Sequence, residues 1–301
     1  MRIEGTVASG IYGRNVTGIR IDRVDVHDAN RSQSFIDATF PTLPERLPHG
    51  GMVFVHADSP AQVAVTSSTV TQTAGFGIIS ITSGVARTRL TVRHTRVEGG
   101  TRIGFFDIGI AALVKDRSAT TRLDISDANV RGRLSRSGRN VMLAASGGGH
   151  ADAHIERIAS GPTGQDGIVG AVMQSPSEIT IHISDSVIED AGQMNVEGSL
   201  INLPPDDSAD VDAGRVSIVI ERSIIRNAGA VRLGRRPHRP LPRARPIARP
   251  ACAPRSSCGS PHSPDPCAEA PSRHQQSTPS GTALAAASCL MLRSAATATG
   301  H

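Results

Sequence analysis

The residues best suited to chemistry are Arg93, His94 and Arg96, together with Asp127 further along the chain. A polysaccharide lyase needs an Arg, Lys or His base to take a proton beside a uronate carboxylate, and a cation to neutralise that carboxylate. A hydrolase instead needs two or three carboxylates at glycosidase separation. His94, Arg93, Arg96 and Asp127 supply a base, positive charge and one carboxylate. A second cluster, Asp206, Asp207, Asp210 and Asp212 followed by Gly214, is dense in hard oxygen ligands. Asp207, Asp210 and Asp212 are its candidates for Ca²⁺, the one cofactor this chain suggests. The cluster lacks a twelve-residue loop with a terminal Glu, so a solvated loop is the ordinary alternative. His150 and His154 lie near Asp152 without metal-ligand spacing. Gly147-Gly148-Gly149 has no phosphate-loop or dinucleotide pattern.

Such residues act together only if the fold stacks them, and the sequence carries a repeat that would. The phrase is apolar, any, apolar, four residues, then a β-branched residue. It recurs at Ile19-Ile21-Val26, Val63-Val65-Val70, Leu90-Val92-Val97, Leu123-Ile125-Val130, Ala151-Ala153-Ile158, Ile181-Ile183-Ile188 and Ile218-Ile220-Ile225. The first two residues of each phrase share one face of a strand, and the longer step to the third requires a bend between two short strands. A second apolar run follows most phrases: Gly51–Val55, Phe76–Ile81, Ile103–Val114, Val141–Ala144, Ile168–Met173 and Leu200–Leu203. Gly, Asn, Asp and Ser separate these runs, and no long stretch keeps a helical period. Two or three strands per unit, stacked on the next unit, describe a solenoid whose coils bury apolar residues only against their neighbours. Rungs at about 4.8 Å make seven coils a rod on the order of 30 Å.

Segments such as Glu178-Ile179-Thr180-Ile181-His182-Ile183-Ser184-Asp185-Ser186-Val187-Ile188 and Val216–Ile225 give the chain its resemblance to right-handed parallel β-helices of the pectin-lyase-like superfamily. The resemblance covers roughly residues 15 to 230 and implies an all-β solenoid of about seven coils. It is specific for architecture and nearly silent on activity. The competing architecture, an antiparallel β-sandwich, would need seven aligned phrases to arise without a repeat.

One column is expected to face solvent two residues after the central anchor: Arg23, Ser67, His94, Asp127, Ile155, Asp185 and Arg222. This places His94 beside Asp127. A column of small residues follows at Ser68, Thr95, Ala128, Ser186 and Ser223, with Val24 and Glu156 as exceptions; it suits a tight corner. Enzymes of this fold place their chemistry on a solvent-facing sheet. However, the Asn-Thr-Asp, Asp-Asp, Gly-His-Gly and Arg-Ile-Lys set of polygalacturonases is absent. So is any pectate-lyase arrangement of aspartates with a catalytic arginine. Aromatic platforms for sugar stacking are scarce, with one Tyr, no Trp and six Phe, and the adjacent Phe105 and Phe106 sit in apolar surroundings. The expectation is a non-catalytic β-helix protein, or a fragment of one, presenting a surface to a polysaccharide or cell-surface glycan. The alternative is a lyase or glycoside hydrolase using His94 and Asp127.

Charge divides the chain. Residues 1–233 carry 23 basic and 25 acidic groups, whereas residues 234–301 carry 9 and 2 and hold 11 of the 19 prolines. The net charge of +5 therefore belongs to the tail, and the repeat has no nucleic-acid footprint. After Ile225 the chain begins to copy the coil after Ile188, with Asn227-Ala228-Gly229 matching Asp190-Ala191-Gly192, and then the next apolar strand never comes. A single lysine, Lys115, against 31 arginines points to a GC-rich, bacterial coding sequence, and such a gene read out of frame yields Arg-, Pro- and Ala-rich text. The expectation for residues 234–301 is out-of-frame translation or a basic linker, disordered either way. An uncapped last coil would then leave an edge open to self-association. All four cysteines lie in this tail with no zinc or disulfide pattern. No apolar run is long enough to span a membrane. The fold implies a secreted or surface protein, yet no leader follows Met1, which suggests a truncated N-terminus or a cytosolic protein.

Overall fold

The computed structural model describes residues 1–36, 46–101, 106–173, 176–200 and 214–229, all within one unit, Met1–Leu241. The described residues form an all-β parallel solenoid without helices. Three parallel sheets make its faces. Sheet C contains the leading halves of the repeated phrases, in the strands Gly18–Asp22, Ala61–Thr66, Arg87–Arg93, Thr120–Ser126, His150–Glu156, Glu178–Ser184 and Arg215–Glu221. Sheet A takes the residue after the bend, in eight short strands from Arg2–Glu4 to Ile224–Arg226. Sheet B is built from the intervening apolar runs: Ile11–Arg14, Gly50–His56, Phe76–Thr82, Ile108–Lys115, Arg139–Ser146, Asp166–Val172 and Met194–Leu200. The outermost of the seven strands in sheet C have a neighbour on one side only, which leaves five interior turns.

Stacking is in register. Val63, Leu90, Leu123, Ala153 and Ile181 share one ladder, and Val65, Val92, Ile125, Ile155 and Ile183 share the next. All are 0–2% exposed. The fifth phrase is thus corrected: the pair that stacks is Ala153-Ile155, not Ala151-Ala153. Ser160 follows the bend in sheet A, opposite Val130 and Ile188. Ala151, Ala153 and Ile155 alternate without interruption, and all three point inward, so apolar spacing cannot tell which two end the strand.

The seventh strand of sheet B is Met194–Leu200, earlier in the chain than the apolar run 200–203, most of which lies outside the described residues. Phe106 packs into the core, with its ring centroid 5.3 Å from that of Phe76, whereas Phe105 lies outside the described residues.

Sheet B is apolar on both faces through its middle five strands. One face fills the solenoid with Met52, Ile78, Ile110, Val141 and Ile168. The other carries the ladders Val53-Ile79-Ala111-Met142-Val169 and Val55-Ile81-Leu113-Ala144-Ala171, buried in a second core with Ile36, Leu47, Phe106 and Met173. Continuous apolar strands are what burial on two faces demands. Glycine marks the place where coils approach most closely. A Cβ on Gly77 would meet the carbonyl oxygen of Gly109 at 2.4 Å, a separation no side chain tolerates.

Among the buried polar residues, an ion pair and a histidine stand out. Arg133 and Asp107 are both fully buried and form an ion pair at 3.4 Å, with Arg133 also donating to the Thr73 hydroxyl at 3.3 Å. His56 is fully buried, with neither ring nitrogen partnered among the described residues. Burial holds its pKa below the ordinary 6.5.

Removing one member of the buried pair strands the other charge. Arg133→Ala should cost about 3–5 kcal/mol in urea denaturation, far more than any exposed arginine change. For His56 the folded pKa lies below the unfolded one. Its contribution is therefore intact above about pH 6.5 and is lost as pH falls through the folded pKa. His56→Leu should weaken the fall in thermal midpoint between pH 7 and pH 5.

Candidate functional site

The corner between sheets C and A organises the site. Arg23, Ser67, His94, Asp127, Arg157, Asp185 and Arg222 occupy successive corners, all in the left-handed backbone region, with φ between 45° and 53°. In this conformation the backbone N–H of each corner residue from Arg23 to Asp185 donates to the next coil. His94 N–H reaches Ser126 O at 3.2 Å, Asp127 N–H reaches Glu156 O at 3.2 Å, and Arg157 N–H reaches Ser184 O at 3.1 Å. Arg157 therefore replaces Ile155 in the expected column; Ile155 is a core residue, 1% exposed. The slip of two residues in the fifth phrase is the whole cause.

The small column follows the corner, with Ile158 rather than Glu156 as its exception in the fifth coil. Its hydroxyls do more than save space. Ser68, Thr95, Ser186 and Ser223 each donate to the carbonyl two residues earlier, at 2.7–2.8 Å. Ser68, Ser186 and Ser223 also accept a backbone N–H from the preceding coil, at 3.1–3.2 Å.

A shallow groove of about 700 Å³ follows this corner. Ser67, His94, Asp127, Arg157 and Asp185 line one side. Thr69, Arg96, Asn129, Ala159 and Val187, a single ladder of sheet A, line the other. Five rungs at about 4.8 Å make it roughly 20 Å long. The structure thus brings His94, Arg96 and Asp127 into one groove. Arg93 stands on the exposed face of sheet C beside it and is not part of the lining.

Within the groove the charges alternate and pair. Arg157 grips Asp127 with two hydrogen bonds, Nε to Oδ1 at 2.7 Å and Nη2 to Oδ2 at 3.0 Å. Arg222 grips Asp185 in the same way, at 2.8 and 2.9 Å. Arg157 holds the Asp127 carboxyl below the usual carboxylate range, helped by the nearby charges of His94 and Arg93. Arg222 does the same for Asp185. Arg96 pairs with Glu98, which also accepts from Arg131. Arg96 and then Arg131 hold the Glu98 carboxyl below its ordinary range.

Three other polar groupings were not legible as sites. On the outer face of sheet C, Asp124 is shared by Arg89 at 2.5 Å and Arg122 at 3.0 Å. His154 and His182 stack with their rings 5.2 Å apart. On sheet B, Asp166 is buried beside Arg139, at 3.2 Å, with Glu197 close by. Burial, then the Glu197 charge, pushes the Asp166 carboxyl up to about 7. Nothing in the local sequence around Asp166 announces its burial.

His150 approaches Asp152 at 3.3 Å and Glu178 at 3.5 Å. No group of three or more His, Cys, Asp or Glu residues able to hold a metal occurs among the described residues. The Ca²⁺ candidates Asp207, Asp210 and Asp212 lie outside the described residues. No helix among the described residues is long and apolar enough to cross a membrane. Comparison with protein-family models, with curated proteins and with solved structures finds no match to this chain.

The raised Asp166 pKa has a defined sign. Its folded state holds the proton up to about pH 7, so its contribution is greatest below the unfolded value near 3.8 and declines as pH rises to about 7. Asp166→Asn should be more stable than the parent at pH 8 and level with it at pH 4, in denaturant titrations at the two pH values.

Proposed function

We propose that this chain is a non-catalytic β-helix protein of the pectin-lyase-like kind whose corner groove binds an extended polysaccharide carrying carboxylate groups. The observation that supports it is the state of the groove's charges. Asp127 and Asp185 are each clamped by an arginine and held ionised. A general acid must carry a proton near working pH, and neither carboxyl does. What the groove offers instead is a fixed row of hydroxyl, amide, imidazole and guanidinium groups at the spacing of the coils. Such a row suits a ligand that is itself a repeating chain. Preformed polar contacts also lower the ordering cost of binding.

A lyase reading draws on one specific feature, the exposed His94 next to Asp127 in the same groove. The two readings separate in one experiment. Polygalacturonate and a neutral glucan are offered to the parent and to His94→Ala and Arg96→Ala variants, with binding and chain cleavage followed in parallel. The expected outcome is binding of the acidic polymer without cleavage, weakened roughly tenfold by Arg96→Ala, as for loss of a charged hydrogen bond. Cleavage abolished by His94→Ala would establish the lyase instead.

A further inference from the structure

The last described coil presents to solvent residues whose counterparts in the middle coils are buried. Ile220 continues the ladder of Ile125, Ile155 and Ile183, each 1% exposed, yet is itself 41% exposed. Ile225 continues that of Val130 and Ile188, both fully buried, and is 42% exposed. Among the described residues, the strand Arg215–Glu221 is the terminal strand of sheet C. It is seven residues long, rich in Val and Ile, and contains no proline or lysine that would discourage pairing.

We infer that this edge is a two-fold interface with a second copy of the chain, the two Arg215–Glu221 strands pairing antiparallel about Ile218. The strand reads Arg215-Val216-Ser217-Ile218-Val219-Ile220-Glu221. Centred on Ile218, antiparallel pairing sets Arg215 opposite Glu221 of the other copy, and Val216 opposite its Ile220. Directly opposed residues share a face. The two charged ends thus form two symmetric ion pairs outside, while Val216, Ile218 and Ile220 meet their counterparts inside. Opposite charges across antiparallel strands stabilise, and like charges destabilise.

Charge also selects this arrangement over head-to-tail stacking. Continuing the parallel register would set Glu221 on the next copy's Asp22 and Arg222 on its Arg23, because these residues occupy the same ladders. Head-to-tail contact would also be open-ended, whereas the two-fold contact closes as a dimer.

The test is analytical ultracentrifugation of the full chain over a concentration series, with Arg215→Glu, Glu221→Arg and the double swap. A monomer–dimer equilibrium is expected. Each single change creates two like-charge contacts and should raise the dimer Kd about tenfold, and the double swap should restore it to within about threefold of the parent. Circular dichroism verifies strand content in each variant. A cross-link gives an independent readout: with the four native cysteines replaced by serine, Ser217→Cys combined with Val219→Cys should join two copies on oxidation. A chain that stays monomeric, one that grows without limit, or a dimer indifferent to the charge changes would overturn the inference, as would failure to cross-link.

Discussion

Everything in this fold depends on coils stacking in register, because no coil has a core of its own. The corner between sheets C and A enforces that register. There the backbone enters the left-handed region, which costs a non-glycine residue roughly 1–2 kcal/mol. In return the corner N–H bonds to the next coil, and at Ser68, Ser186 and Ser223 the hydroxyl one residue later accepts an N–H from the preceding coil. The conformation fixes the backbone and leaves the side chain free to vary. Ser, His, Asp and Arg can therefore follow one another in the same slot, each facing solvent one rung from the next.

This division explains what could be read from the sequence. Ladders of Ile, Val and Leu announce themselves by spacing, so the parallel solenoid and the adjacency of His94 and Asp127 were legible. The fifth coil was read two residues out of step because Ala151, Ala153 and Ile155 all satisfy the inward pattern. Only the bend separates them, and a bend made by Arg157 with φ near 49° leaves no glycine or asparagine as a marker. That slip hid Arg157, the residue that decides the electrostatics of the groove. The burial of Asp166 was beyond reach for another reason. It depends on the second apolar face of sheet B, and apolar periodicity does not reveal what covers a face.

Pairing between coils also governs the chemistry available. A carboxylate that serves as a structural clasp is kept ionised by its guanidinium partner, and the same hydrogen bonds that hold it remove it from proton transfer. In the corner column this happens twice, at Asp127 and Asp185, each one coil from Arg157 and on opposite sides of it. The clasp and the acid are incompatible roles for one group. Among the described residues, the carboxyl raised towards neutrality is Asp166, which achieves this by burial, away from the groove lining.

The three faces are therefore unequal as places for a ligand. Sheet B is apolar and buried on both sides through its middle strands, so it supplies stability and little access. Sheet C is polar outside, but a flat sheet face offers few convergent groups. The C–A corner is concave, because the chain turns sharply there and the small column lets the wall recede. It also repeats a polar slot on every coil. A long ligand with its own repeat can meet that row several times over, each contact weak and the total strong, while the backbone ladder beneath absorbs none of the strain.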